Sequence, residues 1–319
     1  MERDNWVTRV VGARELRPSL VRHTGLLQLK ARRVGSGLDV VDDTVVSVLI
    51  LTLNEEINIA ECIDSCAWSD DIVVFDSFSS DKTREIALQK GARVVERRFD
   101  NYAAQRNAAL TAVRYRHPWV LMIDADERVP PDLVAEIKAA VATASVRQVM
   151  FRMRRKDFFF GRWLKRSSGY PTWFGRLLRL GHVHFEKDFN EETIANGDVG
   201  HLNEHLVHFP FNKGVNFWLE RHNRYSTMEA VAKSATQSEP FHPSDLYTRD
   251  PLTRRRALKL LAHRLPFRPL MVFLYLYIVR LGFLDGRAGF YFSRMRAIYE
   301  FFIDVKVMET KRRKRGLAV

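Results

Sequence analysis

Apolar residues in the first half of this chain fall in short, continuous runs rather than in strict alternation. Val45 to Leu51, Asp71 to Phe75, Ala92 to Glu96 and Trp119 to Ile123 are rich in β-branched and large aliphatic side chains. Runs of that length without polar interruption belong to strands covered on both faces, as in a parallel sheet. Between them lie stretches that predict helices. The first begins after Asn54, a candidate N-cap followed by Glu55 and Glu56, and runs to about Ala67. The others cover 82–90, ended by Gly91, and 102–113. The order is βαβαβαβ, which predicts an α/β fold with a doubly wound sheet and right-handed crossovers.

Beyond residue 146 the pattern changes. Gln148 to Met153 predicts a strand, 157–185 is aromatic and basic, and 215–235 and 251–310 predict helices. Three regions follow: a basic, loosely ordered extension over 1–43, an α/β domain over 44–212 whose pattern changes at about residue 146, and a helical region over 213–319.

Composition sharpens this picture. Hydrophobic residues are 46% of the 319, which excludes global disorder. Lys and Arg total 51 against 38 acidic residues, a formal charge of +13 that favours anionic partners. The basic residues are dispersed or terminal and spell no nucleic-acid motif, so no nucleic acid is expected. Cys62 and Cys66 alone make no disulfide framework and suit a reducing cytoplasm. Residues 1–30 lack the apolar core of a secretory signal. Pro269 to Val279 is apolar but far short of the roughly 20 residues that span a bilayer.

The candidate chemistry starts at Asp124-Ala125-Asp126, at the carboxyl end of the fourth strand. Open α/β sheets bind ligands in the crevice at such ends. Two carboxylates there invite a divalent cation, and Mg²⁺ or Mn²⁺ favours carboxylate together with phosphate oxygens. The expected ligand is a nucleotide diphosphate with its metal, held by Asp124 and Asp126. The competing reading is an acidic loop before the helix that Pro130-Pro131 opens.

Three stretches, in this order and spacing, resemble the family 2 glycosyltransferases of GT-A fold: Ser47 to Glu56, Val73 to Thr83, and Met122 to Glu127. Ala103 to Leu110, Glu220 to Thr227 and Arg280 to Arg287 are similar to the bacterial lipopolysaccharide-core and surface-polysaccharide branch. The resemblance covers about residues 45–310, and it implies that 44–212 is the catalytic domain, with a nucleotide-sugar half to about residue 146 and an acceptor half after it, and that 213–319 is a membrane-proximal region. It implies a Rossmann-like, mostly parallel sheet and an inverting transfer from a nucleotide-sugar, expected to be a UDP-sugar, to a lipid-linked or lipopolysaccharide-type glycan. It implies that Asp76 accepts from the nucleotide base, that Thr52, Asn54 and Glu55 line the base and ribose pocket, and that Asp124 lies near ribose and metal. Asp126 would ligate the metal, and Arg106 would add a fixed charge, unless it is a solvated helix arginine.

Inverting transfer also needs a general base. The branch usually carries a His-Glu pair where this chain has Phe189-Asn190-Glu191-Glu192, so Glu191 is the first candidate and Glu192 its rival. His201, His205 and His208 approach a zinc-ligand spacing but lack a cysteine or an H-E-x-x-H helix. His208 matches a family position and is a candidate acceptor contact. Trp173 and Arg176 are further acceptor candidates, with a packed hairpin as the alternative.

Pro266 to Leu284, flanked by arginines, and Lys311 to Arg315 predict binding to an anionic membrane surface. A core helix is the competing reading for the first. The expected location is the cytoplasm, peripheral on the inner face of the bacterial plasma membrane. A nucleotidyltransferase on a similar fold is the main rival, but no glycine-rich basic loop follows the first strand.

Overall fold

The computed structural model describes residues 9–11, 46–186, 192–236, 242–248, 250, 253, 254, 257 and 267–319. The strands are β1 (Arg9–Val11), β2 (Val46–Thr52), β3 (Ile72–Asp76), β4 (Arg93–Glu96), β5 (Trp119–Asp124), β6 (Glu127–Arg128), β7 (Gln148–Phe159), β8 (Arg162–Trp163), β9 (Trp173–Arg179), β10 (Val183–Glu186), β11 (Glu192–Ala195) and β12 (Asp198–His208). The helices among the described residues are α1 (Ile59–Asp64), α2 (Thr83–Gln89), α3 (Tyr102–Ala112), α4 (Pro131–Thr143), α5 (Gly214–Thr236), α6 (Arg268–Leu274) and α7 (Gly286–Lys314), with single turns at Pro243–Leu246, Tyr275–Val279 and Gly282–Asp285.

One large sheet runs β1-β4-β3-β2-β5-β9-β7-β12-β6, with β8 attached to β7. The four strands read from the sequence are parallel neighbours in the order β4-β3-β2-β5, a doubly wound arrangement with its switch between β2 and β5. Val48, Ile50, Val74, Leu121 and Ile123 pack on one face against α1, α2 and α4 residues; Leu49, Val73, Phe75, Val120 and Met122 pack on the other with α3. Burial on both faces is why these strands carry unbroken apolar runs. A buried leucine or isoleucine contributes about 1.5–3 kcal/mol, so Ile50→Asp would break the sheet at its centre.

The helix after β2 is shorter than the sequence suggests. It starts after Asn58 rather than Asn54. Asn54 stands at φ +55 and ties the neighbouring loop, its amide donating to Ser79 Oγ and its Oδ1 accepting from Ser80 N, both at 2.7 Å. That left-handed residue cannot open a right-handed helix. Cys62 and Cys66 are buried and free, Cys66 lying just past the helix end. α3 is capped by Asn101, whose Oδ1 accepts from Ala104 N at 2.7 Å.

β7 runs six residues past Met153, because its charged second half pairs with β12 as far as Asp157 and with β8 at Phe158 and Phe159. Within the N-terminal extension, Arg9–Val11 adds an antiparallel edge strand to β4, which the reading of 1–43 as loosely ordered did not foresee. After β12 the chain turns helical. α5 packs on α7 through Tyr225, Ala230, Tyr299, Ile303 and Val307. The Lys233–Asp304 ion pair at 2.8 Å joins the same two helices.

Candidate active site

The carboxyl ends of β2, β3 and β5 open on one crevice. At β3, Asp76 is fully buried. Its Oδ2 accepts from Thr52 Oγ1 at 2.8 Å and Ser79 Oγ at 2.5 Å, and its Oδ1 from Ser79 N at 2.7 Å. The sequence reading gave this carboxylate to a nucleotide base. Both its oxygens accept from the protein, through Thr52 and Ser79, and these bonds tie the start of the 77–83 loop to β2 and β3.

Glu55 faces the crevice from the β2 loop. Its amide donates to Thr83 Oγ1 at 2.7 Å, and its carboxylate meets Lys213 Nζ at 2.5 Å and accepts from Asn58 Nδ2 at 2.9 Å. Burial raises its pKa, and Asn58 and Lys213 only partly offset this. Asn54 is exposed at the rim and bonded to the Ser79–Ser80 loop.

β5 delivers the acidic triplet. Asp124 Oδ2 receives Arg176 Nη2 at 2.7 Å, and its Oδ1 lies 3.5 Å from Arg106 Nη2. Burial alone would raise the Asp124 pKa, but Arg176 and Arg106 override it and hold the carboxyl far below the ordinary range. Arg106 is therefore no solvated helix residue; it is buried, with its guanidinium also 5.6 Å from the Phe185 ring. Arg176 bridges further to Glu127 Oε1 at 2.8 Å, and Glu127 Oε2 accepts from the Asp124 amide at 3.0 Å.

Asp126 sits beside this pair and meets a different partner. Its Oδ2 lies 3.2 Å from His208 Nε2, while His208 Nδ1 lies 2.7 Å from Asp157 Oδ1. Arg155 completes the chain, with Nε at 3.0 Å from Asp157 and Nη1 at 3.3 Å from Glu127. Burial and Arg155 would lower the His208 pKa, but Asp126 and Asp157 raise it to about 9. For Asp126, burial raises the pKa and His208 outweighs it, so the carboxyl stays ionised.

Two acceptor candidates therefore change place. Arg176 is 4% exposed and stands with the donor-side carboxylates. His208 is 8% exposed and is locked between Asp126 and Asp157. Trp173 does face outward, at 38% exposure, with Arg154 over its ring at 4.9 Å and His201 edge-on at 4.8 Å. The three histidines of the run do not converge: His205 bonds Tyr170 Oη at 2.8 Å, away from His208. Among the described residues no group of three or more His, Cys, Asp or Glu side chains is gathered for a metal.

Both oxygens of Asp124 face arginines, which makes it a poor metal ligand as it stands. Asp126 and His208 fit a hard divalent ion better. Their Oδ2 and Nε2 lie 3.2 Å apart, so a divalent ion would take the place of the proton between them, and Asp157 fixes the imidazole through its other nitrogen, as second partners of metal-bound histidines do. Two protein donors leave room for the phosphate oxygens that complete such sites.

Glu191 lies outside the described residues. Glu192 pairs with Glu186 across the β10–β11 hairpin, which packs on α3. Phe185, one residue before Glu186, touches Arg106, so the described ends of this hairpin stand near the triplet. The residues that sequence reasoning missed are Arg155, Asp157 and Lys213. An alternating Arg-x-Asp in the charged half of a strand was the available signal for the first two. Lys213 lay in a turn with no pattern at all.

Residues 47–201 match the sequence model of the family described as Glycosyl transferase family 2. The chain carries a family 2 glycosyltransferase domain. This fits the parallel central strands with their strand-end carboxylates, and the enzyme is a glycosyltransferase of GT-A fold. Among similar proteins is the lipopolysaccharide core biosynthesis glycosyltransferase LpsC of Rhizobium meliloti. It is 27% identical over 272 residues, which cover 82% of this chain and 92% of that protein. An uncharacterized glycosyltransferase of Rickettsia bellii is 37% identical over 176 residues, 51% of this chain and 59% of its own. Glucosyl-3-phosphoglycerate synthase of Mycobacterium tuberculosis, solved with Mn²⁺, uridine diphosphate and glucosyl-3-phosphoglycerate, is 26% identical over 35% of this chain and 44% of that one, with a TM-score of 0.31.

Proposed function

We propose that this glycosyltransferase moves a sugar from a UDP-sugar to a lipopolysaccharide-type glycan, with inversion at the anomeric carbon. The observation that carries the reading is the strand-end cluster. Asp126 and His208, paired at 3.2 Å, would hold Mg²⁺ or Mn²⁺, with the fixed cations Arg106 and Arg176 behind them. A metal bound there would offset the charge that grows on the departing diphosphate. Arg106 and Arg176 cancel the charge of Asp124, so the crevice does not repel a diphosphate. Glu55 and Lys213 border it from the β2 side.

The transfer is one displacement. A glutamate of the β10–β11 hairpin, Glu191 or Glu192, takes the proton of the acceptor hydroxyl. The hydroxyl oxygen bonds to the anomeric carbon as the bond from that carbon to the diphosphate oxygen breaks. The acceptor class rests on the similarity to LpsC, which covers most of both chains. Trp173, with Arg154 on its ring, suits a sugar face beside an anionic substituent.

The test is a panel of nucleotide-sugars assayed for release of the nucleoside diphosphate, with and without a lipopolysaccharide-type acceptor. A UDP-sugar should turn over with Mg²⁺ or Mn²⁺, and turnover should stop in excess chelator. Full turnover in chelator would reject the metal role of Asp126 and His208. No turnover of any nucleotide-sugar, with metal and acceptor present, would reject the donor class.

A further inference from the structure

The C-terminal helices leave an unusual surface. On α7 the exposed side chains from Arg287 to Arg312 follow a four-three spacing: Tyr291, Arg294, Ile298, Phe301, Val305 and Met308 lie between those two arginines on one stripe. Phe301 is 54% exposed and Met308 58%. The other faces of α7 carry its buried residues, which pack on α5 and α6. Beside the stripe, α6 and the wide turn after it bury no residue at all. Leu270, Met271, Leu274 and Ile278 are exposed there, and an apolar groove of about 470 Å³ joins Leu270 and Phe273 to Ile298 and Phe301. A soluble monomer rarely shows contiguous apolar surface of this extent.

We propose that this elbow, from α6 through the turns to α7, docks on an anionic lipid bilayer and lies in its headgroup boundary. Three observations favour a bilayer as the occupant. The apolar surface spans two helices that meet at a 73° bend, and the pair has the length and composition of a membrane-inserted segment, although no single described helix is long and apolar enough to cross. Arg287, Arg294 and Arg312 stand on the stripe itself, and Lys311 to Arg315 are all exposed at its end. Lipid phosphates can answer those charges. A second copy of the same stripe would bring arginines into a shared seam, and α6 makes the face wider than a helix–helix seam.

The elbow is also fastened to the aromatic-basic segment. Asp285 Oδ2 accepts from Arg166 N, Ser167 N and Ser167 Oγ at 2.8–2.9 Å, and Arg162 Nη2 donates to Leu284 O at 2.9 Å. Arg280 donates to the Tyr170 carbonyl. Gly282 and Gly289 cross so closely that a Cβ on Gly289 would come within 2.2 Å of the Gly282 carbonyl oxygen. A bilayer under the elbow therefore fixes the orientation of Trp173 and its neighbours relative to the membrane plane.

The test is flotation of the full chain with phosphatidylglycerol-containing vesicles and with purely phosphatidylcholine vesicles, without any donor, so its outcome is independent of the transfer reading. The chain should float with the anionic vesicles, less so as salt rises. The double variant Ile298→Glu, Phe301→Glu should lose at least about ten-fold in partition while keeping its circular dichroism and melting temperature. If that variant misfolds, Leu270→Glu with Leu274→Glu on α6 serves in its place. Undiminished flotation of a folded variant would overturn the proposal. So would a lipid-free dimer of the native chain that the variant converts to monomer, because the face would then be a self-interface.

Discussion

The strand-end site and the C-terminal elbow invert the usual distribution of residues in opposite ways. At the site, four carboxylates and three arginines lie within one largely buried network around Asp124, Asp126, Glu127 and Asp157. At the elbow, leucine, isoleucine, phenylalanine and tyrosine are left outside. Buried charge is costly unless every partner is present, and exposed apolar surface contributes nothing to folding. Folding stability alone accounts for neither arrangement, and these are the two places where a ligand and a surface are proposed to complete the molecule.

The contrast predicts opposite responses to substitution. Arg176→Met should be the most damaging, because it leaves Asp124 and Glu127 facing each other in a buried site. A loss of about 3–5 kcal/mol is expected from breaking such a pair on one side, read by urea denaturation. A stable, unchanged Arg176→Met protein would mean the network is not held as described. Next in size is the hairpin base. Glu191→Gln or Glu192→Gln, whichever is the base, should lose about 10²-fold in turnover and keep donor affinity. Full activity in both variants would remove the hairpin from the mechanism.

A smaller effect separates the helical region from the site by pH. His222 stacks on Trp218 and donates Nδ1–H to the Trp218 carbonyl at 2.8 Å. Burial lowers its pKa to about 4. Its unfolded counterpart titrates near 6.5, so between those values the unfolded chain binds more protons. Stability from His222 is present above about pH 6.5 and is lost as pH falls toward about 4. The melting temperature should decline across that window, and His222→Phe should flatten the decline. An identical slope in the variant would rule out His222 as its source. The smallest effect belongs to the elbow: Phe301→Glu should change stability by no more than about 0.5 kcal/mol. A larger loss would show that the residue packs in the folded core.

The comparison also marks what the sequence could tell. The four central strands were legible because burial on both faces imposes unbroken apolar runs, as in Val48 to Leu51. The crevice was legible through Asp124 and Asp126, since strand ends and carboxylates are local features. Their partners were not. Arg155, Asp157, Arg176 and His208 reach the triplet from β7, β9 and β12, and strand pairing across so many intervening residues has no local signature. For the same reason Arg176 and His208 looked like acceptor contacts. At Asp76 the strand-end position was legible, but not that Ser79, three residues on, turns its own amide and hydroxyl onto it. At the elbow, apolar composition alone could not separate core from surface. The burial of Tyr299, Ile303 and Val307 against the exposure of Ile298 and Phe301 does so.

The most direct test of the account is the turnover of a UDP-sugar by Asp126→Asn, measured beside the native enzyme at saturating Mn²⁺ or Mg²⁺. The substitution removes one charge and almost no volume, so the melting temperature checks that the network around His208 survives. The account predicts a folded protein whose turnover falls on the order of 10²–10³-fold, the scale of losing one group that stabilises developing charge. A folded Asp126→Asn enzyme with native turnover would contradict it.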